Sequence, residues 1–194
     1  MLSLREMIRN GFDHAMAPHV WYSGMRWPNR GYVQVAIVDE GRGIRTSLNR
    51  GGYSFPNDET AIDAALRPGV SRNVGRRLSA EEVERWSEAR PDLPVECYQN
   101  SGYGLPIASR IGQEGGQFLV ISGNKGRQFI RGDCLISTFH QGTAIRMVLH
   151  PERVRGVVDR VFEELGGSNR RKGLISASMR RRLGVDEGTR NAGE

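Results

Sequence analysis

Residues 32–44 read YVQVAIVDEGRGI, and this stretch decides the fold. From Tyr32 to Asp39 the chain is rich in β-branched residues and nearly continuously apolar, the pattern of a buried strand. The run ends on a carboxylate, and Gly41 and Gly43 follow at once with backbones that tolerate conformations other residues avoid. An acidic side chain at a strand end beside two permissive backbones leaves space for a flat ring. A short helix is expected from Ile44.

Working outward, residues 2–17 place Leu4, Met7, Ile8, Phe12 and Ala15 at helical spacing before Pro18 stops the run, so a first helix precedes the strand. Residues 18–30 carry Trp21, Tyr22 and Trp27 among prolines and glycines and read as a loop or short hairpin packed under the sheet. Residues 51–101 are long, polar and punctuated, with helices expected at 58–67 and 79–89, the second opened by a Ser79/Glu82 capping box. Gly102 and Gly104 open another helix, in which Pro106 is tolerated because first-turn amides lack helical partners. Residues 117–122, 127–131, 133–139 and 143–149 alternate apolar and polar side chains between glycines, as four strands of an antiparallel meander would. Pro151 begins a last helix ending near Gly166. This order favours an α+β, two-layer sandwich, with helices on one face of a mixed, mostly antiparallel sheet.

Composition narrows the function classes. No apolar run approaches the roughly 18 residues of a membrane span, and the charged N-terminal pattern of Arg5, Glu6 and Arg9 is unlike a secretory signal, so an intracellular, cytoplasmic protein without membrane contact is expected. Cys97 and Cys134 are isolated and belong to no zinc-type cluster. Of the net charge of +6, residues 166–194 supply +4 (seven basic against three acidic side chains), which makes the basic character mostly a property of the tail. Twenty-five glycines in 194 residues are nearly double the usual share of about 7%.

Several residue groups have chemistry in common. Glu6 and Asn10 lie one helical turn apart with His14 a turn further, and Glu6, Asn10 and Asp13 lie opposite the Leu4/Ile8/Ala15 stripe. Taken alone, that is the polar face of any surface helix. Ser101-Gly102-Tyr103-Gly104-Leu105 stands at a helix start, where free amides and the helix dipole attract phosphate and glycine permits close approach. Gly142-Thr143 puts a hydroxyl at the mouth of a late strand. Two familiar nucleotide signatures do not fit: Thr46 occupies the third glycine position of a dinucleotide fingerprint, and GxxxxGK[ST] is absent.

In order, EMIRN (6–10), DEGRGI (39–44), SGYGL (101–105) and GT (142–143) resemble the boxes of the Bergerat-fold ATPases, the group of gyrase B, MutL, the ninety-kilodalton chaperones and histidine kinases. The whole is similar to stand-alone histidine-kinase-like ATP-binding proteins. The resemblance implies a domain over residues 1–165 that binds Mg·ATP between helices and sheet under a lid at about 51–101, with 166–194 as a basic tail. Residue by residue, Asn10 matches the Mg²⁺ ligand, Asp39 the acceptor of the adenine amino group, and Thr143 a water-linked partner of the base. Gly41, Gly43 and Ile44 line the base site; Gly102, Tyr103, Gly104 and Leu105 match the phosphate loop. Glu6 matches the residue that orients or deprotonates the attacking water, and Asp13 an acidic position on the same helix.

The same resemblance implies slow hydrolysis used as a conformational switch, and it also admits a histidine or anti-sigma type protein kinase or a nucleotide sensor without turnover. The sequence stops soon after the GT strand, so a protein partner or further domain is expected to complete the catalytic apparatus. Arg67, Arg72, Arg76 and Arg77 in the lid are phosphate-clamp candidates, although solvated arginines are the commoner case. Trp21, Trp27, Arg26 and Arg30 have the composition of a nucleic-acid site, but packing of the loop is the expectation there. Nucleic acid contact is expected, if anywhere, at Arg170, Arg171, Lys172 and Arg180–Arg182 of the tail.

Overall fold

A computed structural model of the protein describes residues 16–71, 84, 102, 104–130, 132–154, 156–157, 160–161 and 164. The strand read from YVQVAIVD is present as β2 (Tyr32–Asp39). Before it lies β1 (Val20–Trp27), joined through a 3-10 turn at Pro28–Arg30 whose proline sits at the helix start and whose cap, Gly31, is left-handed. Helices α1 (Gly43–Arg50) and α2 (Asp58–Ala65) follow, then α3 (Gly104–Gly115), β3 (Gly116–Phe129) and β4 (Asp133–Leu149).

The strands form a four-stranded sheet in the order β1-β2-β4-β3, antiparallel at every junction. The sheet is therefore antiparallel rather than mixed over the described residues. Its register aligns side chains in rows across the strands. Ile37 pairs with Ile145, which pairs with Val120; Val35 pairs with Met147, which pairs with Phe118. Because side chains alternate between the faces of a strand, these rows share one face. Ile62 of α2, Ile107, Ala108 and Ile111 of α3, and Val157 and Val161 pack on it to make the core. The molecule is thus an α+β layering of helices on a sheet. No described helix is long and apolar enough to cross a membrane.

Local chemistry explains the helix boundaries. Asn57 caps α2 by accepting the Thr60 amide at 2.9 Å, and Asp58 and Glu59 place negative charge in its first turn, where the dipole favours it. The helix ends at Ala65 rather than 67, with Leu66 as its cap. Asp58 also accepts the Asn124 amide at 3.0 Å and pairs with Arg45 at 3.2 Å, tying α1, α2 and β3 together. Further along, Arg127 grips Asp63 of α2 through two hydrogen bonds of 2.6 and 2.7 Å. The hydrogen bonds to Asp63 raise the Arg127 pKa, so the guanidinium stays charged. At its other end α3 runs straight into β3, and the His150 amide donates to the Gly115 carbonyl at 2.9 Å.

Three expectations are corrected. The four short strands expected between 117 and 149 are two long ones, paired from Gly116↔Leu149 to Phe129↔Asp133. Glycines 123 and 126, which suggested turns, lie inside β3; an irregularity between Ser122 and Lys125 absorbs them without ending the pairing. Of the loop or short hairpin expected over 18–30, the structure has a hairpin arm: residues 20–27 pair with β2 as a sheet strand and are not packed beneath the sheet, and most of that strand is exposed. The expected helices at 2–17 and 79–89 fall on residues outside those described, except Met16 and Ala17, which are not helical, and Glu84, which is. After Pro151 the described residues are helical.

Phe118 has no exposed surface, belongs to the core cluster shared by the sheet and α3, and lies 6.2 Å, between ring centroids, from Phe129. Phe118→Ala is expected to cost about 3–5 kcal/mol, read as a lowered urea midpoint with an unchanged slope.

Candidate functional site

One period beyond the two apolar rows, the same register aligns Asp39, Thr143 and Ser122. The core face thus changes from apolar to polar at the end of β2. Asp39 is only 5% exposed. Its Oδ1 accepts the Gly41 amide at 2.9 Å and the Thr143 amide at 3.2 Å. The first bond folds the DEG turn back on its own strand; the second joins the end of β2 to β4.

Ser122 organises the other side of the row. Its Oγ donates to the Gly142 carbonyl at 2.9 Å and accepts the Ile44 amide at 2.8 Å, which binds the first turn of α1 to β3. Gly142 has φ +98, and a Cβ there would collide with the Asp39 carbonyl group. That close approach is why the strand carries glycine at this point. His140 Nε2 lies 2.9 Å from the Asp39 main-chain oxygen, so the carbonyl as well as the carboxylate is held.

Burial raises the pKa of Asp39 above the usual carboxylate value, and the amides of Gly41 and Thr143 and the nearby His140 offset part of the effect. The group is therefore a carboxylate whose desolvation is only partly compensated by fixed donors. A carboxylate has acceptor capacity beyond two amides at one oxygen, so an N–H donor on an inserted ring would add to the compensation.

Asp39, Gly41, Gly43, Ile44 and Thr143 are brought together by these contacts. Gly102, Gly104 and Leu105 stand elsewhere, at the start of α3. There Gly102 has φ +72 and its carbonyl accepts the Gly69 amide at 3.2 Å, so the loop after α2 lies against the glycine turn. The connection between the two groups runs through the core, on which Ile44 and Leu105 both pack. Glu6, Asn10, Asp13 and Tyr103 lie outside the described residues, as do Arg72, Arg76 and Arg77. Among the described residues no group of three or more His, Cys, Asp or Glu side chains is placed to hold a metal ion.

Sequence reasoning singled out neither Ser122 nor His140. Neither has a local signal, because Ser122 meets Gly142 and Ile44 only through pairing across 20 and 78 positions of chain.

No family model matches the chain, and no curated protein matches it. A similar solved chain is titled "Crystal Structure of N terminal domain of a DNA repair protein"; it is 12% identical, and the likeness covers 84% of this chain and 42% of that one with a TM-score of 0.35. A likeness of that size carries no argument about fold or function.

The raised pKa of Asp39 has a measurable sign. Folding favours the protonated acid, so stability contributed by this group is complete below the ordinary value of 3.8 and is lost as pH rises through the folded-state value. Asp39→Asn keeps an oxygen for both amides and removes the charge. Its thermal midpoint at neutral pH is expected to equal or exceed that of the parent, with the gap closing as pH falls toward 3.8. A variant much less stable than the parent at neutral pH would contradict this account of the site.

Proposed function

We propose that the chain binds Mg·ATP in a Bergerat-type pocket between its helices and its sheet, with the segment from the end of α2 to residue 101 as the cover; the expected lid is shortened at its start because α2 belongs to the core. The observation that carries this reading is the buried Asp39 carboxylate, one oxygen fixed by two backbone amides at the end of the core rows. A purely structural role would be met as well by a neutral side chain; a charge kept at partial cost of desolvation is characteristic of a site awaiting a donor. The amino group of adenine is such a donor, and the open backbones of Gly41 and Gly43 suit a flat ring.

The rest of the proposal follows the four boxes. Thr143 and Ile44 flank the base. Backbone amides from Gly102 to Leu105, at the start of α3, meet phosphate oxygens, an arrangement helix starts favour. Asn10 would hold Mg²⁺ as its protein ligand, since that cation keeps most of its shell as water and phosphate oxygen. Glu6 orients or deprotonates a water for slow hydrolysis, and closure of the covering segment is read by a partner protein or further domain. Bound Mg²⁺ would supply charge neutralisation on the phosphates.

Calorimetric titration with ATP, ADP and GTP, each with and without Mg²⁺, tests the proposal. Binding of ATP, preference for adenine over guanine, and a Mg²⁺ requirement for the triphosphate are the expected results. Asp39→Asn replaces an acceptor with a donor against the adenine amino group and is expected to weaken ATP binding roughly 10- to 150-fold while the variant stays folded. Unchanged affinity in that folded variant would end the reading. Glu6→Ala should bind ATP as the parent does and lose phosphate release; equal turnover would remove Glu6 from the chemistry.

A further inference from the structure

The β1–β2 hairpin exposes large aromatic side chains that a sheet strand ordinarily covers. Trp21 is 48% exposed, Tyr22 71%, Met25 53% and Trp27 39%. Pairing sets Trp21, Ser23, Met25 and Trp27 opposite Val38, Ala36, Gln34 and Tyr32. Since Val35 and Ile37 turn to the helices, this second set turns to the sheet's other face. Val148, beside Gln34 on this face of β4, is buried, so the exposed part of the face is the hairpin edge.

Cations accompany the rings. The Arg30 guanidinium lies over the Trp27 ring at 5.7 Å, and Trp27 neighbours Tyr32 at 6.1 Å. Inward on the same face, Arg146 bonds to Gln34 at 3.1 Å and Gln117 at 3.3 Å, both neutral partners. Residues 16–38 contain no Asp or Glu, and of their arginines Arg30 accompanies this face while Arg26, opposite Val33, turns to the other. The surface therefore combines rings with positive charge and lacks any carboxylate from that segment.

We infer that this hairpin face binds single-stranded nucleic acid, with Trp21 and Trp27 as stacking platforms for unpaired bases and Arg30 and Arg146 as phosphate-directed cations. Stacking on aromatic rings tolerates any base, and arginines beside the rings track the backbone. Six residues of strand separate the two tryptophans by roughly 20 Å, a span of several nucleotides. Duplex bases are already stacked on one another, which selects the single strand. A second copy of the chain is the poorer occupant, because a two-fold contact sets each patch against itself and brings like charges together. This inference does not rest on the nucleotide-binding proposal and concerns a different surface.

The test is fluorescence anisotropy of a labelled oligo-dT of about 15 nucleotides titrated with the full chain, alongside tryptophan quenching, over a salt series. Expected are salt-sensitive binding, at least tenfold weaker binding of a duplex of equal length, and at least tenfold loss in the Trp21→Ala/Trp27→Ala variant. The Trp21→Phe/Trp27→Phe variant, which keeps flat rings, should stay within about threefold of the parent. Neutralising Arg180, Arg181 and Arg182 to glutamine separates this face from the basic tail, and dependence on the tryptophans should persist in that background. Three results would overturn the inference: alanine variants that fold and bind oligo-dT as the parent does; binding abolished by the tail substitutions and indifferent to the tryptophans; or a concentration-dependent dimer that protects the tryptophans and has no affinity for oligo-dT.

Discussion

The site depends on the hydrogen bond from the Thr143 amide to the Asp39 carboxylate, which joins positions 104 residues apart. Bonds within β2 and its turn would leave Asp39 free to swing. The contact from β4 fixes which oxygen faces the sheet, and the Gly142 backbone can approach only because no Cβ intervenes. Around that contact Ser122 ties α1 to β3 and His140 holds the Asp39 carbonyl group. The polar row is thus a continuation of the apolar rows, set by the same register that buries Ile37, Ile145 and Val120.

Register also accounts for the contrast between the two sheet faces. A shift of one residue would send the core rows outward and bring Trp21, Gln34 and Arg146 inward. Burying Arg146 with two glutamines would leave a charge without a counter-ion, a heavy cost in low dielectric. The arrangement is therefore selected from both sides, by apolar matching on the helix face and by polar exclusion on the other.

Much of the fold could be read from residue patterns. The strand ending at Asp39, the short helix after it and a helix starting at 58 follow from a β-branched run, a glycine turn and a punctuated polar stretch. The length of β3 and β4 was not legible, because a glycine inside a long hairpin looks the same locally as one in a turn. Strand β1 was hidden for a related reason: VWYSGMRW lacks the alternation of a half-buried strand, being exposed along most of its length. In the candidate site, Asp39, Gly41, Gly43 and Ile44 were visible from their places at element ends; Thr143 was visible from the glycine before it, although it lies inside β4 and not at the mouth of a strand. Ser122 and His140 were not, since their roles exist only after distant strands are in register.

The junction between α3 and β3 has a mechanical consequence. With no linker between Gly115 and Gly116, and with the Gly115 carbonyl bonded to His150, the carboxyl end of the helix is a fixed pivot. The 12 residues of α3 make an arm of about 18 Å. A tilt of about 10° about the pivot carries the Gly104 end through roughly 3 Å, while the strand it feeds stays still. Whatever play this helix has is delivered to its amino end, beside Gly69 and Val70, and almost none of it to the sheet.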